Sequence, residues 1–208
     1  GLPGSEQHIG RGTFGGAFVI TPANAAMSLD DEEIKAELVA QIKGGALPMP
    51  KLDAGGFANT LYMFDFPPGI DISSPGGKSC GSFLAYHGTA LLDGLPIPYG
   101  VHPSCGASFV VHTHELVEAI TDPDAGLVQF AVAARPNAWR TPSGNVVNPS
   151  VEIADICEPA SVMVAGQTVA KCWSNFAQKC VGDIPLCDGT KMPPACLATR
   201  ASAAQSRS

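Results

Sequence analysis

The sequence predicts an α+β fold that combines a mixed β-sheet with an N-terminal helix and a second helix, followed by a loop-rich C-terminal subdomain that contains disulfides. The order of the predicted elements, which is strand, helix, three strands and helix, favours this class over a helical bundle. The 23 glycines and 18 prolines, well above the usual share of roughly 12%, indicate many turns and long ordered loops. With 45% hydrophobic and 15% charged residues, the chain should be globular rather than disordered.

The length of 208 residues suits one domain with a smaller subdomain, because domains typically span about 100–200 residues. We expect a sheet-and-helix part at residues 1–122, a loop-rich subdomain at 123–196 that completes the functional site, and a flexible tail at 197–208 that is rich in alanine and serine. The sequence leaves the oligomeric state open.

Charge and hydropathy exclude two classes of partner. The formal net charge is −7, and no cluster of lysine and arginine follows the pattern of a nucleic-acid-binding surface. No apolar run reaches the roughly 18–20 residues that cross a membrane. Because Gly1 does not open a signal peptide, we expect any targeting segment or pro-region to have been removed or to lie outside this sequence.

The seven cysteines are widely spread and form no Cys-x-x-Cys pair, which favours disulfides over a cysteine zinc site. We therefore expect a secreted or periplasmic protein, with at least one thiol free or intermolecular because the number is odd. The sequence allows many pairings. The pairing that we expect leaves Cys172 unpaired and joins Cys80 to Cys105, Cys157 to Cys180, and Cys187 to Cys196.

The first predicted elements are a strand at residues 14–20 and a helix that follows Thr21-Pro22. Ser28 is expected to cap this helix, since Asp31 stands three residues later and the first turn is acidic. Gly44-Gly45 should end it. The apolar stripe of the helix consists of Ile34, Leu38, Val39 and Ile42.

Three further strands are predicted at residues 60–66, 82–91 and 95–101. Asp93-Gly94 between the last two is a strong signal for a tight hairpin. Because proline cannot donate a hydrogen bond to a central ladder, Pro96 and Pro98 predict that the last strand lies at a sheet edge.

The second helix should begin at Ala107 or Ser108 and end by Asp122, since Pro123 disfavours helical geometry in the residue before it. Its apolar flank is predicted to consist of Phe109, Leu116, Val117 and Ile120. Farther along the chain, residues 151–157 predict a strand or a short helix, and residues 162–173 predict a second hairpin.

The second helix contains His114-Glu115-Leu116-Val117-Glu118, which has the spacing of a metalloprotease helix with glutamate in place of the second histidine. His114 and Glu118 stand four residues apart on one helix face, so both can bind one metal ion. Glu115 lies beside that face, where a carboxylate can accept a proton from an activated water. The competing interpretation is a solvent-exposed helix that carries these residues without a metal.

A catalytic zinc usually has three protein ligands and one open position. Glu152 and Asp155 are the candidates for the third ligand, and the sequence does not decide between them. The carboxylate that does not bind the metal can hydrogen-bond His114 and fix its tautomer. Zinc is the expected cofactor, with calcium and manganese as alternatives because the ligand set is rich in carboxylates.

The remaining histidines differ in what their positions indicate. His87 lies on a strand beside the presumed cleft and is a candidate catalytic residue that donates to the transition state, with a ligand or a structural histidine as the alternatives. His112 diverges from His114 by roughly 200° around the helix, so we expect it to be exposed rather than a co-ligand. His8 and His102 have no context that indicates a role.

Segments distributed over residues 28–180 carry a resemblance to a known family. They are Thr60-Leu61-Tyr62, Phe66-Pro67-Pro68-Gly69, Ser79-Cys80, Tyr86-His87-Gly88, residues 114–123, Glu152-Ile153-Ala154-Asp155-Ile156-Cys157, Trp173-Ser174-Asn175 and Cys180. Together they resemble a family of secreted, mainly bacterial HExxE-motif proteins of zincin-like metallopeptidase type, and more distantly the phosphate-induced, EXORDIUM-like proteins of plants. The resemblance implies that the two carboxylate motifs form one site. The chain departs from the family at Leu84, where cysteine is common, and at Cys172.

The order of elements before the active-site helix is also that of zincin-type metalloproteases, in which the sheet backs this helix. We therefore expect a secreted, metal-dependent peptidase that hydrolyses peptide bonds of a peptide or protein substrate through a metal-activated water. The alternative is a non-enzymatic extracellular or cell-wall-associated binding module with a structural metal or none. A serine hydrolase has little support, because no Gly-x-Ser-x-Gly elbow is present.

Overall fold

The structure is a computed structural model, and it describes residues 12–106, 109–123, 125, 152–174 and 179–182. The described residues form two α-helices, a short 3-10 helix and ten short strands, an α+β arrangement that agrees with the predicted class. In chain order the elements are β1 (Ser28–Asp30), α1 (Asp31–Lys43), β2 (Tyr62–Asp65), β3 (Asp71–Ser74), β4 (Gly77–Lys78), β5 (Tyr86–Leu92), β6 (Leu95–His102), α2 (Phe109–Thr121), the 3-10 helix (Asp155–Cys157), β7 (Ser161–Val164), β8 (Gln167–Ala170), β9 (Cys172–Ser174) and β10 (Lys179–Val181).

The central three-stranded sheet has the order β2-β6-β5. β5 and β6 form the predicted hairpin, and its turn residues Asp93 and Gly94 have positive φ angles of 52° and 86°. A two-residue turn of this kind matches the twist of the flanking strands, and Asp-Gly tolerates it well. β2 runs parallel to β6, which places Asp65 directly beside His102 at the end of both strands.

The prediction that β6 is an edge strand is wrong, because β6 lies between β2 and β5. β2 pairs only with residues 99–102 of β6. Pro96 and Pro98 lie in the other half, which among the described residues pairs with β5 alone. The two prolines are therefore accommodated where the strand has one neighbour, which is the local condition that proline requires.

Residues 14–20, predicted as the first strand, do not form one, and Phe14 and Val19 are highly exposed. Gly15-Gly16 provides no side chains for a pleated surface, and Gly16 has a φ of 133°, outside the region of an extended strand. The first strand is instead β1, which pairs in parallel with β3.

The predicted first helix is present, but its cap differs from the prediction. Asp30, not Ser28, is the N-cap residue and accepts a hydrogen bond from the backbone of Glu33. The Glu33 side chain in turn accepts from the Asp30 backbone, which completes a capping box. Ser28 is instead recruited into β1, so tertiary strand pairing moved the helix start by two residues.

The core forms between α1 and the sheets. As predicted, Ile34, Leu38 and Ile42 of α1 are buried and Val39 packs against them. Their partners from β3, β5 and β6 include Ile72, Ala90, Ile97, Tyr99 and Val101. Each large side chain buried in this way contributes about 1.5–3 kcal/mol before conformational entropy is subtracted.

Asp31, the first residue of α1, ties the helix to the central sheet. Its Oδ1 accepts hydrogen bonds from Tyr86 (2.7 Å) and Tyr99 (2.5 Å), while Lys35 contacts its Oδ2 at 2.8 Å. Burial opposes ionisation of Asp31, but hydrogen bonds from Lys35 and the two tyrosines outweigh it and lower the pKa of this carboxyl.

The second predicted helix is present as α2, but its predicted apolar flank is wrong for three of the four residues, and only Val117 is half-buried. Phe109, Leu116 and Ile120 are 50%, 38% and 43% exposed. The buried residues of α2 are Glu115, Glu118, Ala119 and Thr121. Hydrophobic periodicity predicted that the apolar side chains are buried. The buried face of this helix instead carries carboxylates that contact polar partners.

The C-terminal part contains the second predicted hairpin, β7-β8, with Ala165 and Gly166 at positive φ in its turn. Its second arm ends at Ala170, earlier than predicted, and β9 begins at Cys172. Of the two alternatives predicted for this segment, the described residues form the short helical one, as a 3-10 helix at Asp155–Cys157.

Two of the three expected disulfides, Cys80–Cys105 and Cys157–Cys180, are present, and Cys172 is free as expected. The third expected pair, Cys187 with Cys196, and the tail at 197–208 lie outside the described residues. The disulfides fit an extracellular protein. Among the described helices, none has the length and apolar character needed to cross a membrane.

Replacement of Asp31 by asparagine should lower the free energy of unfolding at pH 7 by about 1–3 kcal/mol, because it removes charged hydrogen bonds that join α1 to the sheet. Since the folded-state pKa of Asp31 lies below the unfolded value of about 3.9, this contribution is present above about pH 4 and is lost as the pH falls further. Urea denaturation at pH 7 and pH 3 measures both effects.

The matched control is Glu32→Gln, which removes the other carboxylate that contacts Lys35. Glu32 is 82% exposed, so its ion pair should contribute less than about 1 kcal/mol. Equal losses of stability in the two variants would contradict the role of Asp31 as the tie between helix and sheet.

Candidate functional site

Six ionisable side chains from three elements converge at the buried face of α2, and we call them the α2 cluster. β5 supplies one residue, α2 supplies three, and the segment that leads into the 3-10 helix supplies two. The members of the α2 cluster are His87, His114, Glu115, Glu118, Glu152 and Asp155. They are the six site residues that the sequence predicted.

Glu118 lies at the centre of the α2 cluster, and its side chain is only 3% exposed. Its Oε1 accepts hydrogen bonds from the backbone amides of Ala154 (3.0 Å) and Asp155 (3.1 Å). Its Oε2 faces the two histidines, at 3.1 Å from His114 Nε2 and 4.0 Å from His87 Nδ1. One carboxylate therefore holds the downstream segment against α2 and also faces both imidazoles.

His114 has a carboxylate on each side of its Nε2. Glu118 Oε2 and Asp155 Oδ1 both lie 3.1 Å from this nitrogen. Burial opposes protonation of His114, but Asp155 and Glu118 outweigh it and raise the pKa of His114 to about 10. The hydrogen bond from His114 also lowers the pKa of Asp155. His114, Glu118 and Asp155 form one group whose candidate ligand atoms all lie within 4.8 Å of one another.

His87 lies between the other two carboxylates. Its Nδ1 is 3.2 Å from Glu115 Oε2, and its Nε2 is 3.2 Å from Glu152 Oε1. The second contact is close enough for attraction but lacks hydrogen-bond alignment, so both of its atoms are buried without a hydrogen-bond partner. Burial opposes protonation of His87, yet Glu115 and Glu152 raise its pKa to about 10. Burial raises the pKa of Glu152.

The structure separates the two candidates for the third ligand. Asp155 contacts His114, whereas Glu152 contacts His87. The two are linked, because the backbone amide of Glu152 donates to Asp155 Oδ2 at 3.3 Å. We expected the carboxylate that does not bind the metal to hydrogen-bond His114. Glu152 instead contacts His87.

The α2 cluster carries an excess of negative charge. It holds four carboxyl groups and two imidazoles, so its formal charge is negative even when both histidines are protonated. Within the described ranges, no lysine or arginine forms an ion pair with these six side chains. A bound cation would offset this excess of negative charge.

Hydroxyl groups that the sequence did not single out fix the position of α2. Thr113 accepts a hydrogen bond from the Ala170 backbone of β8 at 2.9 Å, and Thr89 of β5 donates to the carbonyl of Pro123 at 2.7 Å. Threonine is too common in strands and helices for its spacing to have indicated these contacts. One pair joins α2 to β8, and the other joins the residues that follow α2 to β5.

The other histidines are placed away from the α2 cluster. His112 lies 2.8 Å from Asp65 and is not a partner of His114, as we expected. Its side chain is 37% exposed, so it is less exposed than we expected. His102, for which the sequence indicated no role, is buried beside it. His8 lies outside the described residues.

Comparisons with protein-family models, with curated proteins and with solved structures found no match to this chain.

In the metal-free protein, the raised pKa values of His87 and His114 predict that stability falls with rising pH. Both values lie above the unfolded value of about 6.5, so the contribution is fully present below about pH 6.5 and is lost as the pH rises through about 10. Urea denaturation in the presence of a chelator, from pH 6 to pH 10, measures this slope.

A matched measurement on the His114→Gln variant separates this effect from the titration of other groups. The variant lacks one of the two imidazoles, so its stability should depend less on pH than that of the wild type. Identical slopes for the two proteins would show that His114 is not held protonated by Glu118 and Asp155.

Proposed function

We propose that this chain is a secreted, zincin-like metallopeptidase in which His114, Glu118 and Asp155 hold a catalytic zinc ion. The observation that carries the proposal is that Glu118 Oε2 and Asp155 Oδ1 both lie 3.1 Å from His114 Nε2, although Asp155 stands 37 residues after Glu118. Imidazole nitrogen and carboxylate oxygen are zinc ligands, and three protein ligands leave a position open for water or substrate. Calcium and manganese are the second choices, because two of the three ligands are carboxylates.

Two features of the α2 cluster fit a cation. The cluster has an excess of negative charge, and burying carboxylates without compensation costs several kcal/mol. His87 Nε2 and Glu152 Oε1 lie 3.2 Å apart, but neither buried atom has an aligned hydrogen-bond partner, so both are available to a further ligand. A divalent ion offsets the charge without adding a further protein side chain.

The residues around the proposed ligands divide the chemistry between them. A zinc ion bound there would polarise a peptide carbonyl and lower the pKa of a water. Glu115, which follows His114 on the buried face, accepts the proton of the attacking water and then transfers it to the leaving amine. His87 orients the Glu115 carboxylate from 3.2 Å away and is available to donate a hydrogen bond to developing negative charge.

The surroundings of the α2 cluster support the same proposal. α2 packs against β5 and β6 of the central sheet, so a mixed sheet backs the helix, as in the zincin arrangement. The two disulfides support secretion, because such bonds persist in oxidising compartments. A carboxylate base beside an activated water fits hydrolysis, and the substrate class of the proposed peptidase is a peptide or protein.

The second candidate is a non-enzymatic extracellular or cell-wall-associated module in which the same residues hold a structural metal or none. It is favoured by the low accessibility of the proposed base, since the Glu115 side chain is only 10% exposed and already contacts His87. A structural site has a closed set of ligands, whereas a catalytic site keeps an exchangeable position. Turnover on peptides therefore separates the two candidates.

Replacement of Glu115 by glutamine should leave zinc binding intact and reduce peptide hydrolysis by about 10²–10⁴-fold, the usual contribution of a general base. Zinc content by elemental analysis and cleavage of fluorescent casein or a peptide library measure the two effects separately. Glu158→Gln is the matched control, because Glu158 is an exposed carboxylate three residues after Asp155 and its replacement should not change either.

Hydrolysis by Glu115→Gln at the wild-type rate would exclude this mechanism. An absence of turnover in zinc-loaded wild type on every peptide tested would favour the structural module instead.

Asp155→Asn and Glu152→Gln test which carboxylate is the third ligand. Loss of an outer partner of a zinc ligand typically weakens binding about 10–100-fold. Asp155→Asn should weaken it by more than this, because a ligand is lost, and Glu152→Gln by less, because Glu152 contacts His87 instead. Competition with a chromogenic zinc chelator gives both affinities. The reverse order would assign the ligand role to Glu152.

A further inference from the structure

A second group of ligand-type side chains lies at the carboxyl ends of β2 and β6 and shares no residue with the α2 cluster. Asp65 is the last residue of β2, His102 is the last of β6, and His112 lies in the second turn of α2. His112 and His114 diverge by roughly 200° around the helix, so this group belongs to another face of α2. The proposed peptidase chemistry does not use any of the three residues.

Strand pairing brings Asp65 and His102 together, and α2 adds His112. Asp65 and His102 are direct partners in the register of β2 and β6, so their side chains lie on the same face of the sheet. Asp65 Oδ1 is 2.8 Å from His112 Nε2 and 3.6 Å from His102 Nδ1. Candidate ligand atoms of all three residues lie within 4.8 Å of one another.

His102 is the member that most needs an explanation. Its side chain is 3% exposed, and its ring nitrogens have only weak polar contacts, with Asp65 Oδ1 at 3.6 Å and with the backbone of Phe64. His112 Nδ1 is buried without a hydrogen-bond partner. Buried polar nitrogens are satisfied in most proteins, so two incompletely satisfied imidazoles side by side indicate a missing partner that accepts their lone pairs.

The space for such a partner is present. A cavity of about 240 Å³ opens between the end of β6 and α2, and its lining includes Asp65, His102 and His112. This volume is several times the roughly 30 Å³ that one water occupies in the liquid. An ion with several waters or a small second ligand therefore fits. The two imidazoles are stacked, with ring centroids 4.0 Å apart and ring planes inclined by 21°.

We propose that Asp65, His102 and His112 form a second metal site, separate from the α2 cluster, which binds a divalent transition-metal ion. Two imidazoles and one carboxylate are the ligand types that zinc, copper, nickel and iron accept, and they disfavour calcium and magnesium, which prefer oxygen. Because the ligands come from β2, β6 and α2, the bound ion crosslinks the helix to the sheet. The size of the cavity leaves positions on the ion open to exchangeable ligands.

The ion also explains an arrangement that would otherwise be unfavourable. Asp65 is 70% exposed, and an exposed carboxylate contributes little to fixing a buried imidazole. Stacking of His102 on His112 satisfies no ring nitrogen. An ion bound by all three residues engages one nitrogen of each imidazole, and the nitrogens that face Asp65 Oδ1 are His102 Nδ1 and His112 Nε2.

Metal stoichiometry of the full chain tests the proposal. Titration with cobalt(II), followed by the visible absorption of the bound ion, and equilibrium dialysis with zinc(II) should both give two sites per chain in the wild type. Asp65→Asn and His112→Gln should each reduce the number to one, and both are substitutions of partly exposed side chains that the fold should tolerate. Asp71→Asn, an exposed carboxylate at the start of β3, is the control and should keep two sites.

The Asp155→Asn variant makes the outcome independent of the proposed peptidase. If the α2 cluster binds no metal, the wild type should show one site that Asp155→Asn retains and Asp65→Asn removes. Retention of the wild-type stoichiometry and affinity by both Asp65→Asn and His112→Gln would overturn the proposal. Loss of the second site only in variants whose circular dichroism shows unfolding would also count against it, since His112→Gln should remain folded.

Discussion

The described site depends on the interactions of the buried Glu118 carboxylate. Its Oε1 is satisfied by the backbone amides of Ala154 and Asp155, and its Oε2 is directed toward His87 and His114. Burial of an unpaired carboxylate costs several kcal/mol, so these partners are required rather than incidental. Because two of them are main-chain amides from the downstream segment, the same carboxylate brings Asp155 to the face of α2.

This constraint explains why α2 has its polar side inward. An amphipathic helix normally buries its apolar stripe, yet Leu116 and Ile120 are exposed while Glu115 and Glu118 are buried. The loss of apolar burial is offset by ion pairs and hydrogen bonds in a medium where such contacts are strong. The Cys157–Cys180 disulfide lies just after the segment that carries Asp155 and closes the same part of the chain.

Local sequence signals predicted where the helices and strands lie better than they predicted which of their faces are buried. Asp93-Gly94 determined the hairpin of β5 and β6, because the turn chemistry is local, and the His-Glu-x-x-Glu spacing placed α2. The buried face of α2 could not be predicted from periodicity, since it depends on partners 36 and 37 residues away. The pairing of Asp155 with His114 and of Glu152 with His87 could not be predicted either. The same holds for the group that Asp65 forms with its two histidines. Both arise from tertiary contacts between segments that are far apart in the sequence.

The claim that the α2 cluster is a metal site is tested most directly by the position of zinc in an anomalous diffraction map of zinc-loaded crystals. We expect a peak within about 2.0–2.2 Å of His114 Nε2, Glu118 and Asp155, with a fourth position occupied by water or by an added peptide-like ligand. A crystal that shows zinc elsewhere, and none between these three residues, would contradict the claim.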